Sequence, residues 1–190
     1  MTGGSLGSWG WRRIVRTTFP LLVALSVIVL WAGLTLEDAQ EMLEEFAILA
    51  VMVPTMVDMG GNLGAIMSSR LSTRLHLGTA ELDPTDGVLW ANVLAILALA
   101  ASIFTALAVG AYLAGQVVGS SLGLGTLLFI SLVSGLSVTL IAIVLSVVTT
   151  YVSYRAGIDP DDTTIPIVTN VVDVFGMLIF IGVSAWVLGV

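Results

Sequence analysis

Five stretches of this chain are long and apolar enough to form helices that cross a bilayer, and this constrains its fold more than any other feature. Within hydrocarbon, every backbone N–H and C=O has to be satisfied by the protein itself, so such stretches become helices. The spans read as residues 19–36, 46–68, 88–114, 124–150 and 166–189. They predict an all-α, polytopic membrane protein with a short polar N-terminal segment, 1–18, and a five-helix transmembrane domain, 19–190. Only 10% of the residues are charged and 57% are hydrophobic, whereas a soluble domain carries about 25% charged residues. Trp31, Trp90 and Trp186 fall near span ends, where indole rings anchor to membrane lipids.

The charges give the expected orientation. Arg12, Arg13 and Arg16 precede span one, Arg70 and Arg74 follow span two, and Arg155 follows span four, so all six basic residues lie on one side. The positive-inside rule puts that side, with the N-terminus, in the cytoplasm, and an odd number of spans leaves the C-terminus outside. No small-residue cleavage site follows the first apolar run, so no cleavable signal peptide is expected. The expected location is the cell membrane of a prokaryote. A net charge of −7 without lysine would suit an archaeal, salt-adapted cell.

Several functions are disfavoured. A nucleic-acid partner needs a concentrated basic surface, which is missing. There are no cysteines, hence no disulfides or thiolate metal sites. The single histidine, His76, reads as an ordinary loop residue with no pattern of metal ligands around it, and no nucleophile has a positioned base, so an enzyme is not expected.

Two acids lie within the spans. Asp58 stands 12 residues past Phe46 in span two, and Asp173 stands 7 residues past Pro166 in span five. At about 1.5 Å per residue, both lie roughly 10 to 12 Å from the cytoplasmic edge of the hydrocarbon core. Intramembrane acids are costly and usually face a bundle interior or a water-filled path. Each has two readings, an ion ligand or a neutral structural acid. Around them, Pro54, Gly60, Gly61, Asn62 and Gly64 can bend span two and bring backbones close, while Thr169 lies one turn before Asp173, with Asn170 beside it and Gly176 after it. An all-oxygen set without sulfur or histidine suits a hard, partly hydrated cation such as Mg2+.

The link 37–45 carries Glu37, Asp38, Glu41, Glu44 and Glu45. Glu37, Glu41 and Glu45 would share a face if span two continued outward as a helix, and two readings stand: a cation-concentrating mouth or ordinary solvated charge. Spans three and four carry no charge, and Ala101, Ala106, Gly110, Ser134, Gly135 and Ser137 read as close helix packing. No internal repeat is visible, so a two-halved working unit would need two chains.

The segment PTMVDMGGNLGAIMSSRLSTRLHLG, residues 54–78, resembles the second-span signature of MgtE-type magnesium transporters and their eukaryotic solute-carrier relatives. DPDDTTIPIVTNVVDVFG, residues 159–176, is similar to the entrance and first half of that family's fifth span. Ala65 and Ile66 replace a polar Asn-Gln pair common in bacterial members, and the following Ser69 to Thr73 look more like the solute-carrier branch. The resemblance implies selective transport of Mg2+ through a pore between two five-helix units, a homodimer or a hetero-oligomer with a related half. It implies that Asp173 binds the ion, that Asn170 and Thr169 are candidate neighbours, and that Pro54, Gly61, Asn62 and Gly64 shape the pore beside it; the residues themselves add Asp58 and Asn62 as further metal candidates and Gly176 as a further pore-shaping one. Exchange coupled to Na+ or H+, or an accessory or scaffold role in a hetero-oligomer, are the alternatives. The short polar N-terminus leads us to expect no large Mg2+-sensing domain.

Overall fold

Among the described residues there are six helices, and five of them form where apolar runs are long. The computed structural model describes residues 11–79 and 85–190. Its elements are α1 (Trp11–Asp38), α2 (Gln40–Glu45), α3 (Ala47–His76), α4 (Gly87–Val118), α5 (Leu124–Arg155) and α6 (Pro160–Leu188). Five of them are long and apolar enough to cross a membrane, as expected. Residues 1–10 of the polar N-terminal segment, and the loop acids Glu81 and Asp83, lie outside the described residues.

The caps are chemical. Asp86 accepts the Val88 N–H at 2.8 Å and opens α4. Asp159 accepts the Asp161 N–H at 3.1 Å and opens α6, with Pro160 in the first turn where its missing N–H is not needed. At the far end of α4, Gly119 turns the chain with φ 76°, a left-handed conformation that glycine adopts without steric penalty.

The helices outrun the apolar spans. α3 has 30 residues and α5 has 32, about 45 Å at a rise of 1.5 Å, against a hydrocarbon core of about 30 Å. Residues 69–76, read from sequence as loop, are therefore the last turns of α3, and α6 starts at Pro160 rather than at 166. Polar side chains end a hydropathy signal without breaking helical hydrogen bonds.

The acidic link also differs from its reading. α1 runs through Asp38, and α2 is a separate short helix that ends at Phe46, where φ −113° and ψ 66° interrupt the path into α3. Span two does not continue outward, so Glu37, Glu41 and Glu45 are divided between α1 and α2 and share no single helical face.

α3, α5 and α6 pack mutually at the centre, α4 lies against α5 and α3, and α1 rests mainly on α6. Lipid tails are as apolar as leucine, so helix association here relies on close fit and interhelical hydrogen bonds. The fit is tightest at glycines. A β-carbon on Gly64 would lie 2.5 Å from Val168, and one on Gly135 would lie 2.2 Å from the Phe104 ring. Ser146 Oγ donates to the Gly64 carbonyl at 3.0 Å and Ser131 Oγ to the Phe104 carbonyl at 2.7 Å, joining α5 to α3 and to α4. The contact face of α4 includes Ile96, Ala100, Phe104, Ala108 and Ala111. Ala106 and Gly110, expected at this interface, instead face outward, because they lie on the opposite side of the α4 helix. Trp31, Trp90 and Trp186 are exposed near the helix ends, as lipid anchors should be.

Candidate functional site

Pro54 opens the site by chemistry that proline alone supplies. It lies inside α3 and has no N–H, so the carbonyl four residues earlier, at Ala50, lacks its usual intrahelical partner. One turn later Asp58 reaches the same side, followed by Gly61 and Asn62. α6 approaches this face because Gly61 has no side chain: a β-carbon there would meet Asp173 Oδ1 at 2.9 Å and Thr169 Cα at 3.8 Å. Gly60 fits against Val138 and Val172 in the same way, so the α3–α6 contact rests on three neighbouring glycines.

The result is a hollow of about 300 Å3 lined by Val53, Pro54, Val57, Asp58, Gly61, Asn62, Thr169, Asp173 and Met177. The two intramembrane acids, whose similar depth alone left their mutual placement open, therefore share one cavity. Asn62 Nδ2 donates to Asp58 Oδ2 at 3.0 Å and ties that carboxylate to its own helix. Thr169 Oγ1 donates back to the Ile165 carbonyl at 3.0 Å, which leaves its oxygen lone pairs able to accept or to ligate. Among the described residues neither Asp58 nor Asp173 forms an ion pair with a basic side chain; Arg74 pairs with Asp86, and His76 Nε2 lies 3.7 Å from Asp159 Oδ1.

The other expected residues are placed differently. Asn170 does not line the hollow; its Nδ2 donates to the Pro166 carbonyl at 2.8 Å. Gly64 and Gly176 lie behind the hollow, the first against Val168 and Ala142, the second where a β-carbon would lie 3.7 Å from Val57 Cα and from Val138. Of the residues expected to shape a pore, Pro54 and Gly61 line the hollow, whereas Gly64 and Gly176 set how closely the helices around it approach.

A second hollow, of about 360 Å3, lies toward the acidic end and includes Thr35, Asp38, Glu41, Ile181 and Ala185. Asp173, Met177, Ile181 and Ala185 recur every four residues, so one face of α6 borders both hollows. Between them Thr35 Oγ1 donates to Met177 Sδ at 3.7 Å. The sequence reading did not single out Met177 or Thr35. Met177 was legible as the residue one turn past Asp173, but Thr35 was not, because its contact depends on how α1 rests on α6.

At the opposite end of the bundle, Arg74 donates to Asp86 Oδ2 at 2.8 Å and to the Thr79 carbonyl at 3.1 Å, bracing α3 against the start of α4. The Arg74 hydrogen bond is the main reason the Asp86 carboxyl is held below its ordinary value of 3.8. Arg70 Nε donates to Asn92 Oδ1 along the same boundary.

An apolar helical bundle with two unpaired carboxylates in a membrane-depth hollow defines a multi-pass membrane protein built around a polar cavity. Residues 53–183 match the family model MgtE, described as a divalent cation transporter, and the chain belongs to that family. It is also similar to Solute carrier family 41 member 3 of Mus musculus, 31% identical over 177 residues, covering 83% of this chain and 35% of the relative. The Rattus norvegicus protein of the same name is 29% identical over 180 residues, covering 83% of this chain and 37% of the relative. The chain thus spans little more than a third of the length of these relatives.

Proposed function

We propose that this protein conducts divalent cations, Mg2+ foremost, along the α3–α6 face, with Asp173 as the principal ligand. The carrying observation is that Asp58 and Asp173 line one membrane-depth hollow together with Asn62 and Thr169. The donors are all oxygen, as Mg2+ prefers, and about 300 Å3 accommodates an ion that keeps several of its waters. Asn62 holds one oxygen of Asp58 and leaves the other for the ion's hydration shell. Two carboxylates favour a divalent over a monovalent ion, while water retained between protein and ion keeps binding weak enough for release.

The hollow is a half-site in this reading, completed by the same face of a second copy across a two-fold axis, so that the ion passes between two subunits. Asp38 and Glu41 at the second hollow raise the local cation concentration, and the Thr35–Met177 contact separates that mouth from Asp173. With the arginine-bearing ends in the cytoplasm, the mouth faces outward and the inside-negative potential drives entry. Each elementary charge gains about 2.3 kcal/mol per 100 mV, and a divalent ion about twice that.

The test is Mg2+ flux into proteoliposomes containing this chain alone, with native protein compared with Asp173→Asn. Native flux without any Na+ or H+ gradient, lost in the variant, is the expected result. Flux that requires an opposing Na+ or H+ gradient would replace conduction by exchange; no flux from a folded, inserted homodimer would redirect the function to a complex with a missing partner.

A further inference from the structure

His76 closes α3, and Asp159 and Asp161 open α6. The sequence separates them widely and shows no ligand spacing, but the α3–α6 packing brings one ligand atom from each within 4.8 Å of the others. This cluster lies at the arginine-bearing end of the bundle and shares no residue with the membrane hollow.

The imidazole decides what the cluster can hold. His76 Nδ1 lies 3.0 Å from the Ser72 carbonyl oxygen. A carbonyl only accepts, so Nδ1 carries a proton, and the neutral ring then presents the lone pair of Nε2. That nitrogen lies 3.7 Å from Asp159 Oδ1, an acceptor facing an acceptor in the neutral ring, and a cation bound by both would relieve the opposition. Ligand bonds to a metal of about 2.0 to 2.2 Å put two donors of one ion roughly 3 to 4 Å apart, which the observed separation satisfies. A backbone carbonyl holding the non-ligating nitrogen is also the usual outer support of a metal-bound histidine. Arg74, two residues before His76, is engaged by Asp86 and Thr79 and does not neutralise the two aspartates. Both His76 and Asp159 are about half exposed, with side-chain exposures of 50% and 46%, leaving room for water to fill the remaining coordination positions.

We propose that His76, Asp159 and Asp161 form a binding site for a divalent transition-metal ion, which links the end of α3 to the start of α6. One imidazole nitrogen with two carboxylate oxygens selects Zn2+ or Co2+ over Mg2+, whose preference is for oxygen alone. The site is thereby chemically distinct from the Asp58–Asp173 hollow and does not depend on the transport reading.

The experiment uses the full chain in lipid nanodiscs with millimolar Mg2+ present to saturate oxygen-only sites. Zn2+ is titrated calorimetrically, and Co2+ by its visible absorption. One Zn2+ per chain is expected, with affinity about tenfold or more weaker in His76→Gln and in Asp161→Asn, and unchanged in Asp173→Asn. Zn2+ should also raise the unfolding midpoint of the native chain and not that of His76→Gln, with both unfolding alike in chelator. No Zn2+ binding by the native chain would overturn the proposal in favour of a proton shared by His76 and Asp159. Binding that both substitutions leave unchanged would overturn it in favour of scattered surface carboxylates.

Discussion

The hollow between α3 and α6 encloses about 300 Å3 and presents two carboxylates, an amide and a hydroxyl. The groove between α4 and α5 encloses about 340 Å3 and presents Leu89, Trp90, Val93, Leu140, Ile143 and Val144 among its walls, without one side-chain oxygen. Both lie on the same bundle and both are large enough for a hydrated ion. Volume therefore does not distinguish them; the energy of a charge inside each does. An ion entering the apolar groove would lose water and gain no replacement, whereas the α3–α6 hollow offers oxygen in exchange. The groove suits an acyl chain, and the hollow suits a cation.

Asp173→Asn should break this asymmetry most severely. It keeps the shape of the wall and removes one negative charge, and Mg2+ flux should fall by at least about tenfold, equivalent to about 1.4 kcal/mol. Val144→Ala in the apolar groove should leave flux per folded chain essentially unchanged, measured in the same proteoliposomes. Equal losses in the two variants would show that the polar hollow is not special.

Gly61→Ala sharpens the comparison by changing geometry without charge. The new methyl would meet Asp173 Oδ1 at 2.9 Å and displace that carboxylate. A severalfold loss of flux is expected with little loss of stability, because the atom that has to move is the end of a side chain. Gly135→Ala should do the reverse. Its methyl would enter the Phe104 ring, and overpacking of this kind costs about 1 to 3 kcal/mol, so the unfolding midpoint should drop while flux per folded chain is kept.

Asp58→Asn should have a smaller effect on flux than Asp173→Asn. Asn62 already holds one oxygen of Asp58, which makes it the less available ligand. Flux measured across a series of Mg2+ concentrations would place it: a weaker apparent affinity is expected, and unaltered curves would leave Asp58 with a structural role alone.

The smallest effect concerns how the two halves are joined. Arg74, on the helix that bears the polar hollow, pairs with Asp86, which caps the helix that borders the apolar groove. The Asp86 carboxyl sits below its ordinary 3.8 in the folded protein, so the pair contributes fully above that value and is lost as pH falls through the lower folded value. Unfolding midpoints measured from neutral to acidic pH should show Arg74→Gln destabilised at neutral pH, with the difference from native shrinking under acid. A difference that grew under acid would contradict this sign.

The family membership was legible in two motifs because both concentrate residue types that a bilayer penalises. Pro54, Gly61, Asn62 and Asp173 are conspicuous among leucines and valines for that reason. Their roles were less legible. Asn170 is adjacent to Thr169 in sequence, but a helix turns by about 100° per residue, and its amide is taken by the Pro166 carbonyl. The charge spacing of the acidic link would make one face only if span two continued outward as a helix, and the backbone breaks that path at Phe46 and divides the link itself at Ala39.

By itself, the sequence determined that five apolar segments would become membrane helices, since hydrocarbon leaves a backbone no other partner than itself, and that two acids would lie inside them. Which helices meet was left to the tertiary structure. Helix contacts in a membrane depend on shape and not on hydrophobicity, so the meeting of Asp58 with Asp173 and of His76 with Asp159 arose only when the glycines of α3 let α6 approach, and that of Thr35 with Met177 only when α1 came to rest on α6.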